Sequence, residues 1–294
     1  MRPKNPICNK MCEYMKFVPP GHYYSPIPSE DDYRFAYREA PRRLDGLDLR
    51  AEEQRRVLKR ISAYYGRTPE FSRMRGGEQR FFYDNAYFSY PDATIFSCYV
   101  QDLGAKRFVD IGGGISTLLM MDLNDSVLKG RPARIDVIEP YPARLRGWLR
   151  EGDELNIIER KVQDVDLSFF EDLEPGDILF LDTTHVSKLG SEVNHVVFNI
   201  LPRLRSGVRV HVHDIYYPFE YPSSYFPEGK YWNEIYLWRA FLTGNARYEI
   251  ELLNSYLELE HRELMLELFP KYFEPGASHL TIQNTGSSLW LRKA

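Results

Sequence analysis

Between residues 107 and 214 short, almost wholly apolar runs alternate with amphipathic ones. RFVDIG (107–112), ARIDVIEP (133–140), LNIIERKV (155–162), DILFLD (177–182) and GVRVHVHD (207–214) are the apolar runs. STLLMMDL, PARLRGWLR, LSFFEDL and SEVNHVVFNILPRL lie between them with helical periodicity. This rhythm predicts α/β architecture, a mostly parallel sheet covered by helices on both faces. After residue 214 the alternation loosens. YWNEIYLWRAFL (231–242) reads as a helix, RYEIELL (247–253) and SSLWLRK (287–293) as strands, and ELEHRELMLELFPKYF between them as a helix.

The first hundred residues lack a sheet rhythm. FVPPGHYYSPIPS (17–29) holds four prolines in thirteen positions and is predicted to be an extended loop. From Leu49 to about Tyr65 the spacing predicts an amphipathic helix with Leu49, Val57, Leu58 and Ile61 on its inner face. FFYDNAYFSYPDATIFSCYVQDL (81–103) reads as an aromatic turn and then a helix after Pro91. The division this suggests is an N-terminal helical and loop extension over 1–84 and an α/β domain over 85–294.

Asp110-Ile-Gly-Gly-Gly-Ile-Ser116 stands where the first strand yields to a helix. Glycines there let a ligand approach the backbone at the carboxyl ends of the strands. A dinucleotide fingerprint wants GxGxxG, but GGGIST puts Thr117 where the third glycine belongs, which weakens NAD or FAD without excluding them. Glu139 closes the second strand, where a carboxylate can accept ribose hydroxyls; a helix N-cap or a solvent-facing charge is the structural alternative.

A second concentration of chemistry lies at the ends of the fourth and fifth strands. FLDTTHV carries Asp182 and His185; VHVHD carries His213 and Asp214, with His211 on the same face but deeper. In a doubly wound sheet these ends are neighbours. Buried carboxylates need a cation, donors or protons. The set is therefore a divalent-metal site, a proton-abstraction site with His213 or His185 as base, or a satisfied polar network.

DIGGGIS followed by VIEP resembles the cofactor-binding half of class I S-adenosylmethionine-dependent methyltransferases, over roughly residues 85–294. The resemblance implies a seven-stranded Rossmann-like sheet with a reversed last strand. It also implies S-adenosylmethionine on the glycine turn, with Gly112, Gly114 and Glu139 at the matching positions. Asp110, Ser116 and Asp182 join them as cofactor-binding candidates, and VQDVD offers Gln163 or, preferred, Asp164 for the adenine.

The strand-end pair is similar to the metal-dependent, macrocin-type O-methyltransferase branch, in which acids after the fourth and fifth strands hold Mg²⁺. Asp182 and Asp214 match by location. Ile215 stands where a further Asp or Asn is common, so His185 or His213 would have to substitute as a metal ligand. The N-terminal extension is expected to be a substrate cover, with PPGHYYSP carrying His22, Tyr23 and Tyr24 over the acceptor and Tyr216, Tyr217 and Trp232 walling its pocket.

Composition changes this picture only at the margins. With 43% hydrophobic and 27% charged residues over 294, the chain can bury a sizeable core. A formal charge of −4 gives no electrostatic case for nucleic acid. Cys8, Cys12 and Cys98 form neither a CxxC pair nor an even disulfide framework, and no membrane-spanning run or signal peptide is apparent, so a cytoplasmic location is expected. The 21 Tyr and 17 Phe suit an enclosed pocket or a subunit interface, and a homo-oligomer acting on a small molecule is expected. The leading reading is methyl transfer to a hydroxyl. A different metal-dependent reaction on the same fold, and a non-catalytic S-adenosylmethionine-binding protein, stay open.

Overall fold

In the computed structural model the apolar runs form β1 (Arg107–Ile111), β2 (Arg134–Ile138), β3 (Asn156–Ile158), β4 (Ile178–Leu181) and β5 (Arg209–Val212). The late runs form β6 (Tyr248–Leu253) and β7 (Leu289–Lys293). The structure describes residues 18, 20–38, 44–130, 132, 134–275 and 285–294, so Cys8 and Cys12 lie outside the described residues. The seven strands are ordered β3-β2-β1-β4-β5-β7-β6. β1 to β5 are mutually parallel, and β7 runs antiparallel to both β5 and β6. This is the Rossmann-like arrangement with a reversed last strand. The chain leaves β1 toward β2 and then crosses back to β4, so the order reverses beside β1. Open α/β sheets bind ligands in the crevice beyond the strand ends at such a reversal.

Local chemistry explains where the elements fall short of the periodicity. PARLRGWLR keeps a single helical turn, Ala143–Arg146. The segment 191–204 is broken into Glu192–His195, a π-turn at Val196–Ile200 and a 3₁₀ turn at Leu201–Arg203, where Pro202 has no amide to donate. The late helix is two, Asn254–Glu260 and Arg262–Leu268, separated by His261 at φ −133°.

The chain falls into two compact units. The smaller combines the N-terminal segment with Pro222–Tyr231. There Ser29 and Asp32 cap the helix Glu30–Arg38 reciprocally, and Tyr33 stacks on Phe226 at 4.6 Å. The larger comprises Leu44–Tyr221 and Trp232–Ala294, so the compact units do not divide at 84/85. Helix Ala51–Ile61 belongs to the sheet-bearing unit: it buries Val57, Leu58 and Ile61, and the Gln54 side-chain oxygen accepts the Leu253 amide at 2.8 Å. Helix Tyr90–Leu103 is buried from Tyr90 through Val100.

Arg80 holds the segment before this helix against the sheet's helices. Its guanidinium pairs with Asp122 at 2.8 Å and with Asp153, while the Arg80 and Phe81 amides donate to Asp122 at 2.8 and 2.7 Å. Removing the cation leaves two enclosed carboxylates without their partner. Arg80→Ala is therefore expected to cost about 3 kcal/mol in denaturant unfolding. Arg60→Ala, which breaks the more exposed pair with Asp102, should cost less than about 1 kcal/mol.

Candidate active site

The glycine turn is tied to both neighbours of β1. The Gly112 amide donates to the Ile138 carbonyl at 3.1 Å, and the Asp182 amide donates to the Ile111 carbonyl at 2.9 Å. Gly112 sits at φ +98°, and a Cβ there would lie 1.8 Å from the Asp182 carbonyl oxygen. At Gly113 a Cβ would lie 2.2 Å from Val137 Cγ1. At Gly114 it would meet nothing closer than 3.9 Å, so the turn is packed on its inner side and open on its outer one. That is a cradle into which a ligand can bring its backbone-facing atoms. Beneath it the fully buried Asp110 accepts the hydroxyls of Ser116 (3.2 Å) and Thr117 (2.6 Å). Burial raises the Asp110 carboxyl to about 7 against these bonds, and the Asp182 carboxylate adds to the rise.

The ends of β4 and β5 do converge. His185 Nε2 lies 3.5 Å from Asp182 Oδ1 and 3.4 Å from Asp214 Oδ2. From the other side His213 Nδ1 lies 3.7 Å from Asp182 Oδ1 and 3.6 Å from Asp214 Oδ2. Asp182, His185 and Asp214 offer one ligand atom each within 4.8 Å of one another, a set able to hold a cation. His185 and Asp214 both adopt left-handed backbone, φ +59° and +58°, which costs a residue with a side chain about 1 kcal/mol each. Burial disfavours charge on every member, yet opposite charges win. Asp182 and Asp214 are held below the usual carboxylate range by the two histidines. His185 is raised to about 10 by Asp182 and Glu234, and His213 is raised by Asp214 and Asp182.

Residues 109–215 match a family described as a methyltransferase domain. That span runs from β1 to just past β5 and contains both the glycine turn and the cluster. An uncharacterized protein of Archaeoglobus fulgidus is 36% identical over 176 residues, 55% of this chain and 76% of that protein. The chain belongs to the same family as that protein, and its part from β1 to just past β5 matches a methyltransferase domain. Among solved structures, an SAH-bound methyltransferase of Podospora anserina is 12% identical with a TM-score of 0.41, covering 83% of this chain and 93% of its own. The plantazolicin methyltransferase BamL is 12% identical with a TM-score of 0.44, covering 84% and 99%.

At this site the sequence-derived candidates separate. Glu139 is half-buried at the end of β2, and its Oε1 accepts the Tyr141 amide at 2.7 Å. Asp164 is exposed in the turn after β3. Asp110 and Ser116 were expected to contact the cofactor. They bond to each other beneath the turn, where a fully buried carboxylate needs such hydroxyls.

Tyr216 donates to Asp214 Oδ1 at 2.9 Å, and Trp232 lies over His185 with ring centroids 4.2 Å apart. Tyr217 packs on Tyr256, 5.2 Å between centroids, and its amide donates to Ser255 Oγ. His22, Tyr23 and Tyr24 belong to the smaller unit, where His22 stacks on Tyr23, Tyr24 lies tilted against Tyr23, and the two tyrosines are 82% and 75% exposed. His211 is a core ring, stacked on Phe180 at 4.0 Å and bonded to Ser288 Oγ at 2.8 Å.

Three groups escaped the sequence reading. Glu234 Oε2 meets His185 Nδ1 at 3.1 Å and accepts Thr183 Oγ1 at 2.9 Å, while its Oε1 accepts Trp238 Nε1 at 2.9 Å. Asp92 accepts the Ser287 and Ser288 amides and Asn254 Nδ2, and lies 3.7 Å from His213 Nε2. Ser287 Oγ lies 3.3 Å from that same nitrogen. Glu234 and Asp92 each stand in the first turn of a helix, where an acid ordinarily reads as a dipole partner.

The turn's asymmetry has a direct consequence. Gly112→Ala must push back the Asp182 backbone from a left-handed position. It is expected to cost roughly 3 kcal/mol or more, a fall of about 6–12 °C in Tm. Gly114→Ala should lower Tm by no more than about 3 °C.

Proposed function

We propose that the protein transfers the methyl group of S-adenosylmethionine to a hydroxyl of a small molecule. The observation that carries this reading is the shared wall between the glycine turn and the cluster, where Gly112 backs directly onto the main chain of Asp182. A ligand on the outer side of the turn therefore lies beside the acids and imidazoles at the ends of β4 and β5. S-adenosylmethionine supplies the electrophile, a methyl carbon on a sulfonium. The open face at Gly114 takes its methionine portion, and the free oxygen of Glu139 accepts a ribose hydroxyl.

In the reaction the acceptor oxygen forms a bond to the methyl carbon as the carbon–sulfur bond breaks. The sulfur keeps that electron pair as S-adenosylhomocysteine, and the hydroxyl proton passes to the protein. Asp182 is the member of the cluster best placed to meet the hydroxyl, because its side chain is 32% exposed while those of His185 and His213 are 7% exposed. His185 and His213, the bases expected from sequence, then act from inside the cluster by holding and balancing the carboxylates. Asp182, ionised and held below the usual carboxylate range, accepts the hydroxyl's hydrogen bond and orients its oxygen, and alignment of oxygen, carbon and sulfur contributes several kcal/mol. A divalent cation held by Asp182, His185 and Asp214, when bound, lowers the pKa of a hydroxyl placed against it. Trp232, set against His185, and Tyr216, bonded to Asp214, are the aromatic walls of this chemistry.

Calorimetric titration with S-adenosylmethionine and S-adenosylhomocysteine, followed by S-adenosylhomocysteine release across a panel of phenols and sugars, tests the reading. One site per chain and release only with a hydroxylated acceptor are expected. Failure to bind either ligand, or a methyl group found on nitrogen or carbon, would overturn it. Asp182→Asn should reduce turnover at least ~10²-fold and change cofactor affinity by less than about threefold. Gly114→Val should weaken S-adenosylhomocysteine at least tenfold in a protein that remains folded.

A further inference from the structure

Magnesium, the ion implied by the family resemblance, is a hard cation that keeps several waters and prefers oxygen ligands. The cluster offers something else. Two of its four inward atoms are imidazole nitrogens, His185 Nε2 and His213 Nδ1. Each lies 3.4–3.7 Å from an oxygen of Asp182 and an oxygen of Asp214. Ligands about 2.1 Å from a tetrahedral ion stand about 3.4 Å apart, and the four imidazole–carboxylate separations, four of the six edges of such a set, fall near that value. His213 is 6% exposed, and its Nδ1 is buried without a hydrogen-bond partner, aimed between the two carboxylates.

The far side of each ring strengthens the case. His185 presents Nδ1 to the buried Glu234, itself fixed by Thr183 and Trp238. His213 presents Nε2 to Ser287 Oγ and Asp92, and Asp92 is fixed by the Ser287 and Ser288 amides and by Asn254. A carboxylate behind an imidazole holds the N–H on the outer nitrogen, so that a metal displacing the inner proton would meet the other nitrogen's lone pair, the arrangement found around protein-bound transition metals.

We propose that Asp182, His185, His213 and Asp214 form a first-row transition-metal centre that discriminates against magnesium, with Glu234 and Asp92 as the positioning residues of its two imidazoles. The centre occupies the site of the methyl-transfer reading. Its test rests on metal binding alone, so failure of either claim leaves the other standing.

The full-length protein, stripped with a chelator, is titrated calorimetrically with Zn²⁺, Mn²⁺ and Mg²⁺, and its metal content is measured by elemental analysis after dialysis. One Zn²⁺ or Mn²⁺ per chain is expected, undisplaced by a hundredfold excess of Mg²⁺. Glu234→Gln is expected to weaken the ion 10–100-fold, and His213→Ala at least tenfold. Paramagnetic resonance of the wild-type protein loaded with one Cu²⁺ should show coupling to two ring nitrogens, a readout that holds even where a variant fails to fold. No stoichiometric ion, preference for Mg²⁺, coupling to fewer than two nitrogens, or unchanged affinity in a folded His213→Ala would each overturn the proposal.

Discussion

Two carboxylates and two imidazoles share a largely enclosed space at the ends of β4 and β5, and no one of them would be tolerated there alone. An isolated buried charge costs several kcal/mol, whereas an interleaved set of opposite charges offsets most of that penalty. The interleaving is visible in the distances: each imidazole faces both acids, and each acid faces both imidazoles. Everything around the cluster serves to keep this geometry. Glu234 and Asp92 brace the rings from behind, Tyr216 binds the second oxygen of Asp214, and two members hold left-handed backbone to keep their side chains inward.

The fold supplies this cluster to a ligand through one close approach. Because the Gly112 backbone meets the Asp182 carbonyl with no room for a side chain, the turn after β1 and the end of β4 behave as one wall. The reversal of strand order beside β1 opens the crevice there and nowhere else along β1 to β5. The antiparallel β7 adds a second support. It enters the sheet immediately after Ser287 and Ser288, so the same segment that closes the sheet also fixes Asp92 behind His213.

Much of this was legible in the sequence because parallel strands buried on both faces have few ways to be written. RFVDIG, DILFLD and GVRVHVHD announce strands by composition alone, and their terminal acids and imidazoles stand out against it. Helical extent was less legible: Pro202 and His261 break segments that periodicity would join, since periodicity reports which face is apolar and not whether the backbone bonds persist. The bracing groups were harder still. Asp92 and Glu234 come from helices distant in sequence from the histidines they meet, and the packing of Phe96 on Phe180 and Trp290, and of Phe241 on Tyr248, sets those helices on the sheet. Asp110, an acid beside a glycine turn, faces the interior, which its position in the sequence alone does not announce.

The central claim is that the glycine turn and the cluster serve a single reaction. A crystal structure of the S-adenosylmethionine complex tests it most directly, through the position of the sulfonium methyl. The account places that carbon so that an oxygen hydrogen-bonded to Asp182 stands within about 3–3.5 Å of it, in line with the carbon–sulfur bond. A methyl group directed away from the ends of β4 and β5, or a cofactor seated elsewhere than on the glycine turn, would contradict it.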